Sequence, residues 1–265
     1  MKDSFPNKIH LCIDGYLAET SSLRNEELLS IYFRSVKKSG FTRILYFPDD
    51  LGNAMEGVVG FLLGPGQHTT VHTYTNNKKK CYFLDFFGFE ERKHRNALIY
   101  LDGSYESDYS IQNTIVRKHQ TLMPGTYPAS KTSTHIPHLM TELQVEERSS
   151  TFMRKHIREF LTDLPSEISI NSLTQVFQIE SKEWLSALRV SSEAHLSIHY
   201  HIESRMIFLD VFSCNPFDDA KILYLLKEKF IFKNSTHNLL ERGMYFPKDK
   251  SSKYAEVPQG VFLYK

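Results

Sequence analysis

GFLLGPGQHTTVHTYT, Gly60 to Thr75, and SALRVSSEAHLSIHYHI, Ser186 to Ile202, are the two stretches whose comparison decides the fold. Each carries a His-x-x-x-His pair, His68/His72 and His195/His199, and the pairs are offset by 127 residues. The match extends in both directions. Downstream, YFLDFFGF (Tyr82 to Phe89) parallels IFLDVFSC (Ile207 to Cys214), with Asp85 and Asp210 offset by 125. Upstream, IHLCIDGYLAE (Ile9 to Glu19) parallels PHLMTELQVEE (Pro137 to Glu147), with His10 and His138 offset by 128. Three matches in one order at nearly one offset read as an internal repeat. The copies are assigned to residues 1–122 and 136–265, each of ordinary domain size. Residues 123–135, MPGTYPASKTSTH, are rich in Pro, Gly, Ser and Thr without apolar periodicity, and read as the join.

The coarse order of elements is the same in both copies. A strand (Ile9 to Asp14; Pro137 to Leu143) precedes a helix with apolar residues at three- and four-residue spacing, LRNEELLSIYFRSVKKSG in the first copy and FMRKHIREFLTDL in the second. Gly40 is placed to stop the first of these helices. Three β-rich runs follow, VVGFLLG, TTVHTYT and CYFLDFF against WLSALRV, HLSIHYHI and MIFLDVF. DDAKILYLLKEKF is a second helix of copy two. Lys78, Lys79 and Lys80, after Asn76 and Asn77, read as a solvated hairpin tip. The class is α+β: two antiparallel sheets with outer helices, arranged as an αββα sandwich.

Composition narrows the function classes. Thirty-two Lys and Arg stand against 31 Asp and Glu, a formal charge of +1, whereas nucleic-acid binders and anionic-membrane binders carry a basic excess. No window approaches the roughly 18 uncharged apolar residues of a membrane span. The start, MKDSFPNK, lacks a secretory h-region. Three cysteines without paired spacing fit a reducing compartment, so the expected location is the cytoplasm.

The histidine pairs invite a zinc reading, but four residues along a strand span about 13 Å, too far for two ligands of one ion. His199 and His201 share a strand face, yet no carboxylate or cysteine pattern completes a site around them, and no metal is expected. The alternative is that these histidines are polar residues of a partly buried sheet.

The segment SSEAHLSIHYHIESRMIFLDVFSC resembles the core of the S-adenosylmethionine decarboxylases, pyruvoyl-dependent enzymes of polyamine synthesis. The family pattern is Glu-Ser-His-x-x-Ile-His, followed fifteen residues after the second His by the Cys of an Asp-Val-Phe-x-Cys run. Here Glu193-Ala194-His195-Leu196-Ser197-Ile198-His199 and Asp210-Val211-Phe212-Ser213-Cys214 occupy that pattern. Ser186 stands eight positions before the cleavage position, as a serine does in the family. The resemblance implies that a precursor cleaves itself at the Glu-Ser bond: the hydroxyl attacks the preceding carbonyl, and the ester eliminates to leave a pyruvoyl group. That ketone then takes the substrate amine as a Schiff base and serves as electron sink for loss of CO₂. The resemblance further implies that Ser186 and His199 assist processing, that Cys214 is the proton donor after decarboxylation, and that Glu203 binds ribose hydroxyls.

This chain departs from the pattern at the cleavage position, where Ala194 follows Glu193, and a methyl group is no nucleophile. The first copy has Gln67 there, Gly66 in place of the Glu, Val59 in place of Ser186 and Phe89 near the place of the Cys. No cofactor is therefore expected, because neither copy can build a pyruvoyl by the family route. Ser191, Ser192 and Ser197 are the nearby hydroxyls that would have to substitute, and each is displaced by two or three residues. The leading expectation is a homologue that binds S-adenosylmethionine or its decarboxylated form, or regulates polyamine (spermidine) metabolism without self-processing. It would pair with a paralogous decarboxylase or with a second copy of itself. A genuine decarboxylase, through unusual processing or as an inactivated Ser-to-Ala precursor, is the alternative, and a scaffold without catalysis is the third. Ala194→Ser, beside Ser186, His199 and Cys214 at family spacing, is expected to restore slow, partial self-cleavage that His199→Ala abolishes.

Overall fold

The computed structural model describes residues 8–17, 45–47, 59–76, 79–89, 107–117, 136–146, 149–170, 174–191, 194–242 and 261–264. The helix expected over 23–40, the join at 123–135 and the Lys-rich tip at residues 77 and 78 lie outside them. The first sheet contains β1 (Lys8–Leu17), β2 (Leu45–Phe47), β3 (Val59–Gly64), β4 (Gln67–Asn76), β5 (Lys79–Phe89), β6 (Ser107–Arg117) and, last in the chain, β13 (Val261–Tyr264). The second contains β7 (Ile136–Val145), β8 (Phe177–Glu180), β9 (Trp184–Val190), β10 (Ala194–His201), β11 (Met206–Ser213) and β12 (Phe232–Arg242). Their strand orders are β13-β6-β1-β5-β4-β3-β2 and β12-β7-β11-β10-β9-β8. Apart from β13, one order becomes the other when each strand is replaced by the strand six later. All described pairings are antiparallel. Two antiparallel sheets, with helices accompanying the second, are the layers from which an αββα sandwich is built.

The backbone divides into two compact units. One holds the second sheet and its helices together with Leu63–Gly66; the other holds the rest of the first sheet, β13 included. The assignment of all of 136–265 to the second copy therefore does not describe the end of the chain. Val261 to Tyr264 pair with Asn113 to Ser110 on β6, adding an edge strand to the first sheet.

Within the second unit of sequence, strand alternation and helix periodicity meet in one core. Successive side chains of a strand point to opposite faces. Leu196, Ile198 and Tyr200 on β10, Ile207, Leu209 and Val211 on β11, and Leu139 and Leu143 on β7 thus form one apolar face. Helix α1 (Ser150–Glu167) covers it with Met153, Ile157, Phe160, Leu161 and Leu164, the three-and-four spacing of a buried stripe. Ser149 caps that helix by accepting from the Phe152 amide. Helix α2 (Asp219–Lys229) adds Ile222 and Leu226, and Asp218 caps it by accepting from the Lys221 amide. The opposite face of the same strands carries His195, Ser197, His199 and Asp210, also buried. The polar face holds every histidine and serine that the resemblance singles out on β10.

Candidate functional site

The first cluster is built around Ser186. β9 and β10 pair with Ser186 directly opposite His199, and the Ser186 hydroxyl lies 2.9 Å from His199 Nδ1. The same hydroxyl accepts a hydrogen bond from the Gly66 amide at 2.8 Å. Its proton is then available to the imidazole nitrogen, so the hydroxyl links the Gly66 amide to the His199 ring. Gly66 arrives there through the two-residue turn Pro65-Gly66 that links β3 to β4. Proline presets the first turn residue, and Gly66 has φ +63°, the left-handed region that glycine enters without a steric cost. Trp184 closes the other side: a Cβ added at Gly66 would lie 2.4 Å from its ring. The turn is held by a glycine on two counts, backbone conformation and lack of space.

The retained family positions do not converge on Ala194. Ala194 and His199 lie on one strand five residues apart, about 16 Å, and an odd separation puts their side chains on opposite faces. What Ser186 and His199 meet is Gly66, the first-copy residue that precedes its cleavage position. Ala194, fully buried, opens β10 opposite Ser213, so half-buried Cys214 follows at that end of the hairpin. Glu203 lies at the other end, exposed in the turn between β10 and β11. The expectation that Ala194→Ser would find Ser186 and His199 beside it is therefore corrected: strand parity separates them. Glu193 and Ser192 lie outside the described residues.

The neighbouring hydroxyls are engaged elsewhere. Ser191 donates its amide to the Ala194 carbonyl at 2.8 Å, with its hydroxyl 3.4 Å from the same oxygen. Ser197 donates to Asp210 Oδ2 at 3.1 Å. His199 and His201 each have Nδ1 occupied separately, by Ser186 and by Ser204 at 2.7 Å, while the His201 ring tilts against Trp184 at 4.6 Å. A second polar group lies further along the face: the His195 ring stacks on Phe212 at 5.3 Å, His138 meets both edge-on, and Arg242 sits 4.8 Å over Phe212. Arg242 is almost completely buried, and sequence reasoning missed it because nothing in NLLERG distinguishes a buried arginine from a surface one. Among the described residues, no helix is long and apolar enough to cross a membrane.

The sequence model of the family described as S-adenosylmethionine decarboxylase matches residues 137–243, which span the second sheet and both described helices. The S-adenosylmethionine decarboxylase proenzymes of two Clostridium botulinum strains, Loch Maree (Type A3) and Langeland (Type F), are 30% and 31% identical over 90 residues. Each alignment covers 34% of this chain and 78% of the relative. The crystal structure of the adenosylmethionine decarboxylase from Aquifex aeolicus VF5 is 19% identical with a TM-score of 0.34, over 44% of this chain and 98% of its own.

Proposed function

The chain belongs to the S-adenosylmethionine decarboxylase family, and from that premise we propose that it is a tandem homologue that remains one uncleaved chain. It binds S-adenosylmethionine, or the decarboxylated product, and serves polyamine metabolism in the cytoplasm as a ligand-binding or regulatory protein. The matching strand orders of the two sheets support the tandem reading. The observation that carries the functional one is the methyl group of Ala194, buried where the family needs a hydroxyl, with Ser186 bonded to His199 and to the Gly66 amide instead. A pyruvoyl group does not fit these residues, because the ester that precedes it cannot form without a side-chain oxygen.

What remains for the retained residues is binding. A carboxylate such as Glu203 accepts two hydroxyl protons at once, the recognition a ribose diol requires. Its exposure in a hairpin turn leaves it open to a ligand or to a partner chain, a paralogous decarboxylase or a second copy.

Denaturing mass spectrometry of the purified chain tests the first part, with a single species at the full-length mass expected. Two fragments split near residue 193, the second blocked at its amino terminus, would overturn the uncleaved-chain reading and favour a decarboxylase with unusual processing. Calorimetry tests the second part. Binding of S-adenosylmethionine or its decarboxylated form is expected, and Glu203→Ala should weaken it by about tenfold. Absence of binding up to millimolar nucleoside would put the scaffold reading first.

A further inference from the structure

The first sheet gathers three different donor atoms that the cleavage chemistry does not use. His10 and Cys12 are two residues apart on β1, hence on one face, and Cys12 is the register partner of Asp85 on β5. All three are fully buried. His10 Nε2 lies 3.6 Å from Asp85 Oδ1, and the imidazole nitrogen, the sulfur and a carboxylate oxygen all lie within 4.8 Å of one another. Thr70, the partner of Asp85 on β4, donates its hydroxyl to the other carboxylate oxygen, Oδ2, at 3.5 Å. That bond orients the carboxylate from behind, as outer-shell groups orient metal ligands.

We propose that His10, Cys12 and Asp85 form a zinc site. A mixed set of imidazole, sulfur and carboxylate suits a borderline-soft divalent ion better than magnesium or calcium, which take oxygen alone. Charge points the same way. With the thiol deprotonated by the metal, Asp85 and Cys12 supply two negative charges and cancel one divalent cation. Zinc–ligand bonds place donors about 3.3–3.8 Å apart, so the trio closes on the ion by shifts of about 1 Å. Three protein ligands leave one tetrahedral position for a further donor.

The second sheet supplies an internal control. Its matching positions are His138, Met140 and Asp210, so the histidine and the aspartate stay and the thiol becomes a thioether. A thioether brings no charge and is a poor zinc ligand, so the thiol alone distinguishes the two sets: Ser197 holds Asp210 as Thr70 holds Asp85. The site is thus specific to the first sheet. It was invisible in the search for His-x-x-x-His spacing; the usable signal was His-x-Cys, the i, i+2 spacing of one strand face.

The full chain, made without a polyhistidine tag, is unfolded under reducing conditions, refolded with zinc or with cobalt, and dialysed. About one zinc per chain is expected, together with a thiolate-to-cobalt charge-transfer band in the near ultraviolet. Cys214→Ser should retain both, whereas Cys12→Ser should hold less than about a tenth as much zinc and lose the band. If Cys12→Ser fails to fold, Asp85→Asn, which can still accept from Thr70, takes its place with the same expected loss of zinc. Wild-type protein that refolds without retaining zinc, or a folded ligand variant that retains as much as wild type, overturns the proposal. The trio is then a buried hydrogen-bonded cluster only.

Discussion

The β3–β4 hairpin and the β9–β10 hairpin occupy matching places in their sheets, yet their tips have become opposites. The first ends in Pro65-Gly66, a tight turn whose amide is bonded to Ser186 and whose lack of a Cβ makes room for Trp184. The second reaches Ala194, whose carbonyl accepts from the Ser191 amide and whose methyl group faces away from the side of β10 that bears His199. One tip keeps the company of a serine and a histidine but offers them only a glycine; the other keeps the family's flanking pattern but lacks that company. The lesson is that sequence motif and chemical neighbourhood can separate. Ser186 and His199 are retained in a place where each buried polar group satisfies another, a structural reason for retention that requires no catalysis.

The contrast is broken most directly at Gly66. Gly66→Ala forces a methyl group against Trp184 in a left-handed backbone conformation, at a cost of about 2–4 kcal/mol in urea unfolding. A cost below about 1 kcal/mol would mean that the turn is not held against Trp184.

Removing the hydroxyl at the other side of the contact has the next largest effect. Ser186→Ala leaves the Gly66 amide and the His199 nitrogen without this partner, and a loss of about 1–3 kcal/mol is expected. Because the two side chains share one bond, the double variant Ser186→Ala/His199→Ala should lose less than the sum of the single losses, measurable as a coupling of about 1 kcal/mol.

The chemistry of the two tips is compared by serine substitution. Gln67→Ser places a hydroxyl one residue after Gly66, whose amide is bonded to Ser186, and a minor cleaved fraction over days is expected, abolished by His199→Ala. Ala194→Ser should stay intact under the same conditions. Mass spectrometry that finds the reverse pattern would mean that the Ser186–His199 pair does not govern cleavage.

The smallest effect concerns the sheet margins. Burial lowers the His237 pKa from 6.5 to about 4, while its ring is 3.1 Å from the Thr141 hydroxyl. The unfolded chain takes up this proton below about pH 6.5 and the folded chain only near 4, so stability falls as pH drops across that window. Gln112 occupies the matching register of β6, opposite Ile13. His237→Gln should therefore flatten the pH dependence of the thermal midpoint between pH 6.5 and 4, and leave it unchanged at pH 8.

Much of the fold is legible in the chain itself. Offsets of 125 to 128 residues between three matched segments anticipate two sheets with one strand order, and alternation identifies the His-x-x-x-His segments as strands. Part of the site was legible too. On a strand, positions 194 and 199 must face opposite ways, so parity already separates Ala194 from His199. The destination of β13 was not legible, because a four-residue apolar strand fits either sheet edge equally well.

By itself, then, the sequence determined the local periodicities, the repeated order of strands and the chemical fact that position 194 carries no hydroxyl. These depend on residue types and near-neighbour spacing, which are written along the chain. Only the tertiary structure decided that Ser186 meets Gly66, 120 residues away, and that His10, Cys12 and Asp85 share one buried face. Such meetings depend on strand register and on where a turn comes to rest. Both are set by the packing of many side chains at once, and no local pattern encodes that sum.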